Sequence, residues 1–87
     1  MPEIGAQIDD LARLQSQFNQ QSTTVDSLTS SIGTELSSAY WKGPAADRFR
    51  DSWTTSFEPT LRQLQAALQD SAQEIAMRQQ ALVDAGG

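Results

Sequence analysis

The sequence predicts an all-α protein, a hairpin of two long antiparallel helices forming one domain over residues 1–87. Three observations predict it. Apolar residues recur every seven positions through the first half, a second apolar stripe with steps of three, four or seven runs through the other half, and Gly43-Pro44 stands between them.

The first stripe comprises Ile4, Leu11, Phe18, Val25, Ile32 and Ala39, widened by Ile8, Leu14, Leu28 and Leu36. Its width is that of a helix face buried against other helices, and the remaining positions are mostly Gln, Ser, Thr and Asp. A helix over residues 4–39 follows. It would be about 50 Å long at roughly 1.5 Å per residue. The weak stretch is Gln20 to Gly33, where Ser22, Thr23, Thr24, Ser27, Thr29, Ser30, Ser31 and Gly33 favour helix poorly. A loop there would reset the phase, yet Phe18, Val25 and Ile32 hold it, so one continuous helix is expected. The small side chains also admit a neighbouring helix at close range.

Residues 40–44, Tyr40-Trp41-Lys42-Gly43-Pro44, read as the turn. Gly43 is expected to end the first helix in a left-handed conformation and Pro44 to open the second. The second helix, residues 45–84, carries Ala46, Phe49, Trp53, Phe57, Leu61, Leu64, Leu68, Ala72, Ile75 and Leu82 on its stripe. Glu58 with Arg62 and Glu74 with Arg78 set an acid four residues before a base, the order that suits a solvated face. Pro59 removes a backbone donor and crowds the preceding turn, so a kink is expected near Thr55 to Glu58. A complete break is the alternative, opposed by the phase that Phe57, Leu61 and Leu64 keep. Residues 85–87 are expected to fray.

A chain of 87 residues with 38% apolar content is too short to bury much of its own surface. It has neither cysteine nor histidine, which excludes disulfides and every thiolate or imidazole metal ligand; no metal or cofactor is expected. Association with another chain is the remaining source of core. The net charge of −5 has the wrong sign for phosphate backbones or anionic lipid, so nucleic acid and membrane are not the expected partners. Met1-Pro2-Glu3-Ile4-Gly5 does not read as a basic segment leading into an apolar one, so no cleavable export signal is expected.

Catalysis is not expected either. Asp9-Asp10 and Asp47 with Asp51 are the carboxylate groupings to weigh. Arg48 and Arg50 interleave the second pair, and Asp9 faces Arg13 four residues on, so both read as solvated faces. Serines are plentiful, but no histidine is present to activate one. Tyr40, Trp41, Phe49, Trp53 and Phe57 crowd the turn and the start of the second helix, where large rings fill the end of a bundle. Trp41, at the hairpin tip, is equally placed to meet a partner.

A two-helix chain with Trp41-Lys42-Gly43 in its central turn resembles the WXG-hundred, or ESAT-like, family of small type VII secretion proteins. The resemblance spans nearly the whole chain and includes Ala45-Ala46 and Phe49 after the turn. It implies a four-helix bundle made of two antiparallel hairpins, either a homodimer or a heterodimer of paralogues. Trp41, Gly43 and Pro44 would be the turn motif. Leu11, Phe18, Val25, Ile32, Leu61, Leu64, Leu68 and Ile75 would form the dimer core. The implied route is cytoplasmic folding followed by export without a signal peptide, through an export ATPase that meets the chain directly or through its partner. Family members that carry the export signal place Tyr-X-X-X-Asp/Glu near the end of helix two. This chain has Gln80-Ala81-Leu82-Val83-Asp84 there, with the acid and without the tyrosine. A signal-bearing paralogue is therefore the expected partner. Two other readings are a membrane-perturbing secreted effector and an intracellular helical scaffold or chaperone.

Overall fold

Proline at the first position of a helix forfeits no backbone hydrogen bond, and the first helix of the computed structural model starts on one. The structure describes residues 2–86, in which α1 spans Pro2–Ser38, α2 Pro44–Ser52, a π-helical turn Trp53–Phe57, and α3 Glu58–Gly86. Helix accounts for 94% of the described residues, with no strand among them. The two long arms lie side by side in a hairpin of 65 × 17 × 13 Å.

α1 runs unbroken through the Ser/Thr-rich stretch because the hydroxyls bond back into their own helix. Thr23, Thr24, Thr29, Ser37 and Ser38 each donate to the carbonyl four residues earlier, so they do not offer the backbone an alternative conformation. The inward-facing positions climb α1 in steps of four and three: Ile8, Leu11, Gln15, Phe18, Ser22, Val25, Thr29. On α3 they are Glu58, Leu61, Gln65, Leu68, Ala72, Ile75 and Gln79. From Leu11 on α1, and throughout the α3 series, every second inward position is thus polar or small. Ser22, Thr29 and Ala72 are buried between the arms, and Ser22 Oγ lies 3.4 Å from the Gln65 carbonyl. Gln79 Nε2 donates to the Ile8 carbonyl at 3.3 Å.

The structure corrects three expectations about this stripe. Leu14 and Leu28 do not belong to the inward face, and Ile32 yields its place to Gly33, because two successive steps of four turn the helix there. The reason is Trp53, which lies against Gly33; a Cβ on Gly33 would sit 3.6 Å from the indole nitrogen. That separation is an ordinary van der Waals contact. Gly33→Ala is therefore expected to raise stability by about 0.5–1 kcal/mol, the helix-propensity gain, read as a higher thermal midpoint in circular dichroism. A lower midpoint would mean that the Trp53 contact tolerates no added methyl.

At Pro59 the helix does not break: the turn before the proline, where a kink is expected, widens into Trp53–Phe57, and the Glu58 amide reaches back to the Trp53 carbonyl. Widening moves the carbonyl of Thr55 away from the proline ring, which would clash with it in a regular helix. The extra residue lengthens one inward step to five, from Trp53 to Glu58, and leaves Phe57 outside.

At the turn, α1 ends at Ser38 and Gly43 sits at the N-cap of α2 with φ 114° and ψ 175°. Gly43 therefore opens the second helix, a correction to its expected role of ending the first. That backbone region is open in practice to glycine alone. At the other end of the described residues α3 continues through Gly86. Ile4 packs there, its Cγ2 lying 3.2 Å from where a Gly86 Cβ would stand. Gly87 lies outside the described residues.

Candidate protein-interaction surface

Inside the hairpin little apolar surface is hidden. Val25, Ala46, Trp53 and Ala72 are the buried apolar residues among those described. Leu11, Phe18, Leu61, Leu68 and Ile75 are half-buried in the seam between the arms. Ile32 and Leu64, expected with these residues in a dimer core, lie beside the seam and are exposed in the single chain. The radius of gyration is 19.3 Å, against about 12 Å for a globular chain of this length. The accessible surface is 6227 Å², against about 5,000 Å² for a compact monomer of this mass.

The two flanks of the seam are unlike. On one, Asp26 of α1 and Arg62 of α3 meet at 2.5 Å, with Ser30 also within 3.4 Å of the same guanidinium. Arg62 thus pairs across the hairpin and not with Glu58. Its exposure limits the bridge to a small contribution, well under about 1 kcal/mol. On the other flank, positions seven apart form a line beside the seam: Leu14, Gln21, Leu28 and Glu35 on α1, facing Phe57, Leu64, Ser71 and Arg78 on α3. A shallow hollow between Gln17, Phe18, Gln21 and Leu68 opens between these lines. Leu14, Leu28, Ile32, Phe57 and Leu64 are each 38 to 48% exposed.

The apolar flank continues to the tip as an aromatic ladder. Trp41 and Phe49 have centroids 5.8 Å apart, and Phe49 and Phe57 6.4 Å apart, both pairs tilted. All three rings remain exposed. Tyr40 is 92% exposed, with the Lys42 ammonium 5.9 Å from its ring centre.

The tip is fastened by Arg50. Its Nε donates to the Leu36 carbonyl at 2.9 Å, Nη1 to Trp41 at 2.8 Å and Nη2 to Ala39 at 3.0 Å, and the guanidinium lies 6.0 Å from the Trp41 ring. One side chain from α2 thereby satisfies the Leu36 and Trp41 carbonyls and adds a second donor to that of Ala39, which also accepts the Trp41 amide. Sequence reasoning treated Arg50 as a solvated charge. Its position fourteen residues after Leu36 gives no local signal of the contact.

Of the carboxylates weighed for chemistry, Asp10 rather than Asp9 pairs with Arg13, and Glu74 with Arg78 at 3.4 Å; both pairs are exposed. Among the described residues no three acids converge as metal ligands, and no helix is long and apolar enough to cross a membrane. Gln80 and Asp84 lie one turn apart on the exposed side of α3, where Gln80 Nε2 donates to Asp84 Oδ1 at 2.9 Å. The amide takes one acceptor site of the carboxylate and presents no aromatic ring. Compared with protein-family models, curated proteins and solved structures, the chain has no match.

Proposed function

We propose that this chain is a binding module that pairs with another helical hairpin through its apolar flank, and that it leaves the cell in such a pair as a substrate or co-substrate of type VII secretion. One observation carries the pairing: the exposed line of Leu14, Leu28, Ile32, Phe57 and Leu64 beside a seam too narrow to hide them. An apolar line of that length is the seam along which helices associate. The secretion half of the reading is supported by the turn, in which Gly43 takes its glycine-only conformation between Trp41 and the first residue of α2. Because Gln80 stands where a signal tyrosine is placed in the family that the sequence resembles, the exported form pairs with a signal-bearing paralogue.

Mass measurement of the purified chain, alone and with a paralogue encoded beside it, tests the pairing. A stable, well-folded monomer that ignores its paralogue would end the proposal. Appearance of the protein in culture medium, lost when the secretion ATPase is removed, tests the route, and retention in both strains favours an intracellular scaffold. Trp41→Ala is expected to cost about 0.5–1.5 kcal/mol through its contacts with Phe49 and Arg50. A variant that still folds and pairs but is no longer exported would assign the exposed indole to recognition.

A further inference from the structure

We propose that a groove on the flank opposite the apolar one is a binding site for a primary ammonium with a carbonyl beside it, the chemistry of a peptide's N-terminus. The groove runs between the C-terminal half of α1 and the stretch from Arg50 to Arg62. It holds about 810 Å³, within the roughly 300–1,000 Å³ of small-ligand sites. Gly33 and Trp53 both line it. The Trp53 indole Nε1 is buried with no acceptor and faces the place that a Gly33 side chain would fill. Apart from α1 itself, nothing else comes within 4 Å of that place. A ligand oxygen entering there would meet the donor that the fold leaves unmet.

The other free groups of the groove are acceptors. Glu58, half-buried on its wall, joins none of the ion pairs among the described residues, since Arg62, four positions on, reaches across to Asp26. The Ser37, Ser38 and Thr54 hydroxyls donate into their own helices and leave only lone pairs for a ligand. The wide turn adds the Thr54 carbonyl, because the Glu58 amide bonds to Trp53 and Pro59 has no amide hydrogen. An anion fits less well. Glu58 repels it, and both guanidiniums are engaged, Arg62 by Asp26 and Gln65 and Arg50 by three carbonyls. One buried donor and one unpaired carboxylate in the same groove are instead the complement of an ammonium and its neighbouring carbonyl. The volume extends past a single amino acid, which selects the end of a peptide.

The chain has two tryptophans, so its NMR spectrum carries two indole N–H signals, which Trp41→Phe assigns. With dialanine amide at about pH 6, where its ammonium is charged, the Trp53 signal is expected to shift to saturation while that of Trp41 stays in place. N-acetyl-dialanine amide, which has no ammonium, is expected to move neither. Glu58→Gln is expected to weaken binding by at least about tenfold. Gly33→Ala sets a methyl where the carbonyl would enter and is expected to abolish the shift, helical content being checked for both variants. A Trp53 signal that ignores the amine in the folded wild type overturns the site, as does equal binding of the acetylated peptide or undiminished binding by Glu58→Gln. Alanine amide that binds as tightly as the dipeptide overturns the peptide and assigns the groove to a single amino acid. The groove faces away from the apolar flank, so these outcomes are independent of pairing.

Discussion

Trp53→Ala is expected to unfold the hairpin or bring it to the edge of unfolding at room temperature. Trp53 is 8% exposed and is the one large ring among the four buried apolar residues described, the others being a valine and two alanines. Truncating a buried tryptophan costs about 3–5 kcal/mol, and small domains rarely hold more than about 5 kcal/mol in reserve. The surroundings offer no rearrangement to soften the loss, because Gly33 opposite has no side chain to move into the gap. Urea denaturation followed by circular dichroism measures the effect. Trp53→Phe separates volume from polarity: the indole Nε1 is buried with no hydrogen-bond partner. Phenylalanine removes that unmet donor, which offsets part of the smaller ring's lost contact, and the net loss is expected to stay below about 1.5 kcal/mol. A phenylalanine variant as damaged as the alanine one would show that the nitrogen contributes to stability.

The heptad phase of the sequence located both arms to within a few residues because periodicity survives any local weakness in propensity. Phase does not say which way a stripe divides. Leu14 and Leu28 have the same hydropathy as Leu11, and the seam was filled by Gln15, Ser22 and Thr29 instead, since small and hydrogen-bonded side chains let the arms approach where leucines would hold them apart. Hydropathy is thus divided between an inner seam and an outer flank that no single-chain pattern distinguishes. Pro59 announced a disturbance, but not its form, a wide turn that carries the inward face from Trp53 to Glu58 and leaves Phe57 outside. Gly43 was recognisable as a special position, though its assignment to the second helix follows from α1 ending at Ser38, five residues before it.

Arg50→Ala is expected to loosen the tip while leaving the two arms paired. The guanidinium spreads three donors over the carbonyls of Leu36, Ala39 and Trp41, which belong to the last turn of α1 and the first residues beyond it. Water replaces such bonds incompletely at a half-buried site, so the loss is about 1–3 kcal/mol. In a chain of this size each kcal/mol lowers the midpoint by about 4–8 °C. Arg50→Lys is the informative companion. Its ammonium keeps a positive charge beside the carbonyl end of α1, worth about 0.3–1 kcal/mol, but a compact head on a flexible stem cannot span three carbonyls as the planar fork does. The lysine variant is therefore expected between the wild type and the alanine one, nearer to the latter. Amide hydrogen exchange localises the change: protection should fall around residues 36–41, where the carbonyl partners lie, and persist near Val25 and Ala72 in the seam. Uniform loss along both arms would instead make the tip the element on which the whole hairpin depends, and full retention at the tip would show that the turn backbone holds itself without the clasp.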